Sequence, residues 1–275
     1  MRGTLKSAPL SVFAERNKLK KEREEDEQMT RRRWIAEHWD EATATIVAAQ
    51  AEHLARVLRA RPGMEADVVA GGRVFHAEVA AVALNGEQSE VRFNLIAEVE
   101  AEPALPVVLA LSIYKFDCME WAIEKATELG VAEVAPMIAR RTDKYLALAA
   151  EKRVERWRRI AHEAAQQARR TDVPIIHAPV PLAERVRTAS SVHRIVLAEQ
   201  ERTITLRSLI EEAVKAAGED MPVLEIAIGP EGGWAPDEES LFDANGWRAA
   251  SLGPRILRAE TAAIAALSVI ASYLE

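Results

Sequence analysis

The chain has a single cysteine, Cys118, in 275 residues. One thiol can neither close an intramolecular disulfide nor build a cysteine-rich zinc site, so a stapled secreted scaffold is excluded and a reducing compartment, the cytoplasm, is expected. Long apolar runs are lacking as well. The longest, residues 261–274, falls short of the ~18 residues a membrane helix needs, and it follows directly on the charged stretch Arg255-Ile-Leu-Arg-Ala-Glu260. It reads as a buried C-terminal helix, with no membrane partner. No apolar core precedes the charge run between Lys18 and Glu27, so the layout of a signal peptide is missing too.

Several catalytic signatures are also absent. The six histidines, at positions 38, 53, 76, 162, 177 and 193, form no pair at metal-ligand spacing, and no metal is expected. Neither Gly-x-Gly-x-x-Gly nor a Gly-Lys-Ser/Thr phosphate loop occurs, and no Gly-x-Ser-x-Gly elbow is present. Cys118 stands at a predicted helix start beside Asp117, which disfavours a thiolate, so it reads as an inert thiol.

What is present is 49% apolar residues and 43 acidic against 36 basic side chains, a net charge of −7. That length and core capacity suggest two domains. Residues 1–28 are dense in charge and poor in apolar periodicity, and they read as a disordered or non-native extension, with Met29 as an alternative start. Residues 29–102 carry short β-like runs at 66–69, 74–82 and 91–99, punctuated by Gly63, Gly71-Gly72 and Asn85-Gly86, with one helical stretch at 51–59. This pattern suggests a small barrel or curled sheet. After a linker, Glu102-Pro-Ala-Leu-Pro106, the pattern alternates. Strands are predicted at 107–113, 131–139, 194–198, 223–228 and 249–252, and helices at 119–129, 151–168, 206–217, 236–245 and 261–274. Such alternation implies an α/β fold with a mostly parallel sheet and ligands at the carboxyl ends of strands. The first of these strands exits into Tyr114-Lys-Phe-Asp117 without glycine, so the usual first-crossover nucleotide site is missing.

Three later strand exits stand out: Leu197-Ala-Glu-Gln200, Ile228-Gly-Pro-Glu-Gly-Gly-Trp234, and Leu252-Gly-Pro-Arg-Ile-Leu-Arg-Ala-Glu-Thr-Ala262. The second packs three glycines and a proline around one acid, more than a tight turn requires, and so marks close approach of backbone to a ligand. Charge gives a separate signal. Between Arg140 and Arg170 there are ten basic residues against four acidic ones, a local net of +6, and Arg31, Arg32, Arg33, Arg56, Arg59 and Arg61 form a second cluster. Ordinary i,i+4 decoration of a solvated helix explains part of the first cluster, as with Glu155 and Arg159. Two clusters on two domains point instead to phosphate backbone, that is, to RNA.

These loops, with Glu124-Lys-Ala-Thr-Glu-Leu-Gly-Val131, Glu163-Ala-Ala-Gln-Gln-Ala-Arg-Arg170, Val173-Pro174 and Glu52-His-Leu-Ala-Arg-Val-Leu-Arg59, resemble the ribosomal RNA small subunit methyltransferase E family over about residues 29–274. The resemblance implies a PUA-like RNA-binding β-barrel at 29–102 and, at 107–275, a SPOUT α/β-knot methyltransferase domain with a C-terminal trefoil knot. It implies a cytoplasmic homodimer that uses S-adenosyl-L-methionine to methylate N3 of a uridine in 16S rRNA of the small ribosomal subunit. Carried over by motif, the cofactor site comprises Leu197, Glu199, Ile228, Gly229, Pro230, Glu231, Gly232, Leu252, Gly253, Ile256 and Leu257. Arg31, Arg32, Arg33, Arg56, Arg59, Arg140, Arg141, Arg169 and Arg170 are the candidate RNA contacts. The one motif departure is Ala259, where the family leads one to expect Thr, and residues 1–28 have no family counterpart.

Uridine N3 carries a proton, so catalysis requires its removal or stabilisation of the resulting anion. Arg258 or Arg255 is expected to stabilise that charge and Glu231 to orient or deprotonate the base; a structural role for either arginine, in loop or dimer contacts, stands beside this. The alternatives are another SPOUT reaction, such as ribose 2′-O methylation, and a ribosome assembly factor that has lost catalysis.

Overall fold

The computed structural model describes residues 32–101 and 103–274, and the chain divides into two compact units at Pro103. The expectations for residues 1–28 and for Arg31 lie outside the described residues.

The first unit is a mixed six-stranded sheet. Its strands are β1 (Arg33–Ile35), β2 (His38–Trp39), β3 (Thr43–Val47), β4 (Glu65–Ala70), β5 (Arg73–Ala83) and β6 (Glu90–Val99), in the order β1-β4-β5-β6-β3-β2. β1 runs parallel to β4 and the other pairs are antiparallel. Alternation sets the buried face: Ala44 and Ile46 on β3 lie opposite Phe93 and Val91 on β6, and all four are fully buried. Trp34 and Leu54 complete this core. Register shifts near His76/Ala77 and Val79/Ala81 interrupt the β5–β6 ladder, the kind of irregularity that sharpens twist. The helix expected at 51–59 begins earlier, as α1 (Ala48–Glu52), and loosens into a wider π-type turn over His53–Val57.

The second unit is an all-parallel sheet covered on both faces. Its strands are β7 (Leu105–Ser112), β8 (Val131–Ile138), β9 (Ile175–Ile176), β10 (Val180–Pro181), β11 (His193–Leu197), β12 (Leu224–Ile228) and β13 (Arg248–Ala250). The order is β10-β8-β7-β12-β11-β13, with β9 also on the edge of β8. Six helices connect them: α2 (Phe116–Glu128), α3 (Lys144–Ala149), α4 (Val154–Gln167), α5 (Leu182–Thr188), α6 (Leu206–Ala217) and α7 (Pro236–Ala244), and α8 (Ala259–Leu274) closes the chain. Strand alternation sorts side chains by size. Leu109, Leu111, Leu224, Ile226 and Ile228 meet α2, α4, α6 and α8 on one face, while Ala110 and Ala227 meet the α5/α7 side. The small strand residues there leave room for Trp234, Phe242 and Trp247, whose rings pack edge to face at 4.9 and 5.2 Å.

Each helix carries its reason in sequence. α2 buries Met119, Ala122, Ile123 and Ala126 at i, i+3, i+4 and i+7. Asp143 caps α3 by accepting from the Tyr145 and Leu146 amides at 2.8 and 3.3 Å, and Thr205 caps α6 through the Ser208 amide at 3.1 Å. The helix predicted over 151–168 is α4, preceded by a 3₁₀ turn at Glu151–Arg153. α3 and α5 are too short to have produced a periodic signal.

One buried ion pair crosses the α5 face. Glu225 on β12 is 1% exposed, and its Oε1 accepts from Arg185 Nε of α5 at 2.6 Å. Burial raises its pKa, while Arg185 and Arg194 pull it back.

Candidate active site

β12, β11 and β13 are neighbours, so their three exits open side by side at one end of the sheet. They enclose a cavity of about 530 Å³, within the range of small-molecule sites. Every residue carried over for the cofactor lines it: Leu197, Glu199, Ile228, Gly229, Pro230, Glu231, Gly232, Leu252, Gly253, Ile256 and Leu257. Arg255, Arg258 and Glu231 line it too.

The walls are fixed by contacts that sequence alone did not reveal. Trp234 is buried, and its indole Nε1 donates to the Leu197 carbonyl at 2.8 Å, tying the β12 exit to the β11 exit. A Cβ on Gly229 would lie 3.2 Å from that indole ring, so the position is limited by space. Gly253 is limited by backbone instead: its φ of +116° lies where side chains are strained. After β13, Ser251 N donates to the Ile204 carbonyl and Leu206 N to the Ser251 carbonyl, both at 2.9 Å, while Ala198 N donates to the Ala250 carbonyl at 3.0 Å. The 198–206 connection thus grips the chain as it leaves β13.

Side chains from the β7 and β8 exits complete the rim. Arg141 Nη1 donates to the Gly232 carbonyl at 2.6 Å, and Lys115 Nζ lies 3.9 Å from Glu231 Oε1. Glu238 holds the start of α7 by accepting from Ala235 N and Arg140 N at 2.8 and 2.7 Å. Cys118 and Glu260 also face the cavity. Burial and then the Glu260 charge push the Cys118 thiol up, consistent with an inert thiol. Sequence reading missed Lys115, Trp234 and Glu260. The Gly-Gly-Trp order was the available signal for Trp234; the other two are recognisable only once the strand exits are brought together.

The basic clusters fare unevenly. In the first unit Arg32, Arg56 and Arg59 are exposed and Arg33 half-buried. In the second, Arg140, Arg141 and Arg169 are exposed, with Arg140 paired to Asp237 at 2.7 Å. Arg170 corrects the expectation of an RNA contact. It is 8% exposed, and its Nη1 donates to the Thr127 and Val131 carbonyls at 2.9 and 2.8 Å while Asp172 takes the rest of the guanidinium. A buried guanidinium satisfying the turn between α2 and β8 is not available to phosphate. On α4, Arg156 pairs with Glu120 at 2.7 Å and Arg158 with Glu155 at 2.6 Å, so part of that cluster is intramolecular decoration. Among the described residues no group of three or more His, Cys, Asp or Glu side chains is placed to hold a metal, and no helix is long and apolar enough to cross a membrane.

A family model described as an RNA methyltransferase domain matches residues 101–271. A ribosomal RNA small subunit methyltransferase E of Synechocystis is 35% identical over 236 residues, covering 86% of this chain and 75% of that protein. The chain belongs to the ribosomal RNA small subunit methyltransferase E family. A Mycobacterium bovis member is 31% identical, with 83% of this chain and 86% of its own length aligned. Solved structures agree. A methyltransferase of Legionella pneumophila in complex with its bound cofactor SAM superposes with a TM-score of 0.73 at 30% identity, covering 87% of this chain and 96% of that one. The methyltransferase E of Neisseria gonorrhoeae, bound to S-adenosyl methionine, gives 0.72 at 25% identity, covering 88% and 97%.

Proposed function

We propose that this chain is the methyltransferase that modifies uridine N3 in 16S rRNA of the small ribosomal subunit, with S-adenosyl-L-methionine as methyl donor. The observation that carries the reading is the convergence of three strand exits, two of them glycine-bearing, on one cavity, with Glu231, Arg255 and Arg258 on its wall. Gly229 and Gly253 provide backbone that side chains would obstruct or strain, which suits a ligand lying against main chain. The exits of β11, β12 and β13 would hold the adenosine and methionine portions through Leu197, Ile228, Gly229, Leu252 and Leu257. The cofactor, when bound, supplies a methyl group on a sulfonium.

Positioning of the two reactants accounts for most of the rate. Arg258 and Arg255, exposed on the loop that follows β13, take the charge that spreads over the uracil oxygens when N3 loses its proton. Glu231, kept at the rim by Lys115, accepts that proton or orients the ring. Arg141 at the cavity edge, its neighbour Arg140, and Arg32, Arg33, Arg56 and Arg59 on the first unit, meet phosphate.

The reading extends to the architecture. The first unit serves as a PUA-like barrel. The grip of the 198–206 connection on Ser251 supports a trefoil knot formed as the chain threads that loop. The active species is a cytoplasmic homodimer, which light scattering tests. The decisive experiment incubates the protein and S-adenosylmethionine with small subunits lacking the modification, digests the rRNA and seeks 3-methyluridine by mass spectrometry. Its appearance is expected. Its absence while the cofactor binds, or a methyl group found on a ribose, overturns the assignment.

A further inference from the structure

Three glutamates are buried among the described residues: Glu225, Glu238 and Glu260. Two have their charge answered. Glu225 has Arg185 at 2.6 Å, and Glu238 accepts two backbone amides at 2.7 and 2.8 Å. Glu260 has neither. It is the second residue of α8 and 7% exposed, and among the described residues no hydrogen-bond donor or cation partners its carboxylate. A first-turn carboxylate often accepts from the amides of its own helix; this one does not, so capping does not account for its place. It lines the cavity.

Its surroundings repeat the pattern. Tyr114 is 3% exposed with its hydroxyl unpartnered; burial, followed by the charges of Glu260, Cys118 and Glu231, keeps the phenol protonated. Two cations of the rim are engaged elsewhere, Lys115 with Glu231 and Arg141 with the Gly232 carbonyl. Arg202, Arg255 and Arg258 line the cavity with exposed side chains, and none of them is bonded to Glu260. Its carboxylate opens to the cavity and bonds to no described residue, so a cation entering there can meet it directly.

We propose that Glu260 is the site that receives a cationic centre of the methyl donor at the floor of the cavity. This rests on the reading of the cavity as the S-adenosylmethionine site. That molecule carries two cations, the sulfonium and the amino-acid ammonium. A contact with the sulfonium would also favour the methyl-bearing form over the neutral thioether product, and so assist product release.

The test is calorimetric titration of the intact chain and of Glu260→Gln with three ligands. S-adenosylmethionine has both cations, S-adenosylhomocysteine only the ammonium, and 5′-methylthioadenosine neither. The expected result is a loss of at least about tenfold in affinity for S-adenosylmethionine with methylthioadenosine unchanged, the size expected for losing a charge-assisted contact. If S-adenosylhomocysteine keeps its affinity the sulfonium is the partner; if it weakens in parallel, the ammonium is. Glu260→Asp, which retains the charge, keeps the ratios between ligands closer to those of the intact chain, and those ratios are insensitive to a general loss of packing. Equal weakening of all three ligands, or no weakening, overturns the proposal. Failure of the intact chain to bind S-adenosylmethionine overturns the site reading itself.

Discussion

Gly229→Ala tests how rigidly the cavity wall is built. The Gly229 backbone is ordinary, so the added methyl meets only a problem of space: its Cβ would sit 3.2 Å from Trp234 Cε2 and 3.5 Å from Cδ2 and Cζ2. That ring cannot easily retreat, because Nε1 is bonded to the Leu197 carbonyl at 2.8 Å and Phe242 packs against it at 4.9 Å. Overpacking of this kind costs about 1–3 kcal/mol. For a unit of this size that lowers the melting temperature by roughly 2–4 °C per kcal/mol. Displacing Trp234 also disturbs the bond that joins two cavity walls, and cofactor affinity should fall about tenfold, a cost of ~1.4 kcal/mol. Gly232→Ala is the control. There the new Cβ lies 3.3 Å from Cδ of Arg141, whose exposed side chain can swing aside, so stability should stay within about 0.5 kcal/mol. Scanning calorimetry and ligand titration on both variants read the difference. Trp234→Phe, which trims the ring, should make Gly229→Ala less damaging than the sum of the two changes. Wild-type melting and affinity in Gly229→Ala would refute the picture of a wall fixed by Trp234.

Arg258→Ala should remove turnover on small subunits while calorimetric affinity for S-adenosylmethionine persists; wild-type turnover would remove Arg258 from the mechanism. Arg170→Ala should cost about 2–4 kcal/mol in denaturant unfolding, because two carbonyls and Asp172 lose their partner, yet leave the salt dependence of subunit binding unchanged. Arg185→Met strands Glu225. Burial already raises that carboxyl above its ordinary 4.5, so its cost is absent below the unfolded pKa and grows as pH rises through the folded one. The variant's deficit, about 3–5 kcal/mol near neutrality, should therefore shrink as pH falls toward 4.5, and a deficit independent of pH would count against the ion pair.

The strand exits were legible because their signal is local. Glycine and proline beside an acid at the end of an apolar run declare a strand followed by a backbone-lined loop, whatever the rest of the chain does. The β-α alternation of the second unit was legible for a similar reason: 206–217 and 224–228 carry clear periods, and their bounds in the structure, Leu206–Ala217 and Leu224–Ile228, differ from expectation by one residue at most. β1, β2 and β3 escaped because no glycine or proline between Arg33 and Val47 marks where a short strand ends.

The fate of individual charges was the part that no local pattern could supply. Arg169 and Arg170 are adjacent and chemically alike, yet one is exposed and the other lies over the Thr127 and Val131 carbonyls, some forty residues away in sequence. The loop after β13 repeats the lesson within six residues. Arg255 and Arg258 are exposed at the cavity, and Glu260 is buried where α8 begins. A charged residue reads as surface until its neighbours are known, because the desolvation that forbids its burial is offset only by partners drawn from other elements. For Arg170 those partners are carbonyls, for Glu225 an arginine, and for Glu260 no described residue supplies one. The sequence clusters its acids and bases by position; the fold redistributes them into structural pairs, exposed arginines and, among the described residues, a buried glutamate with no partner.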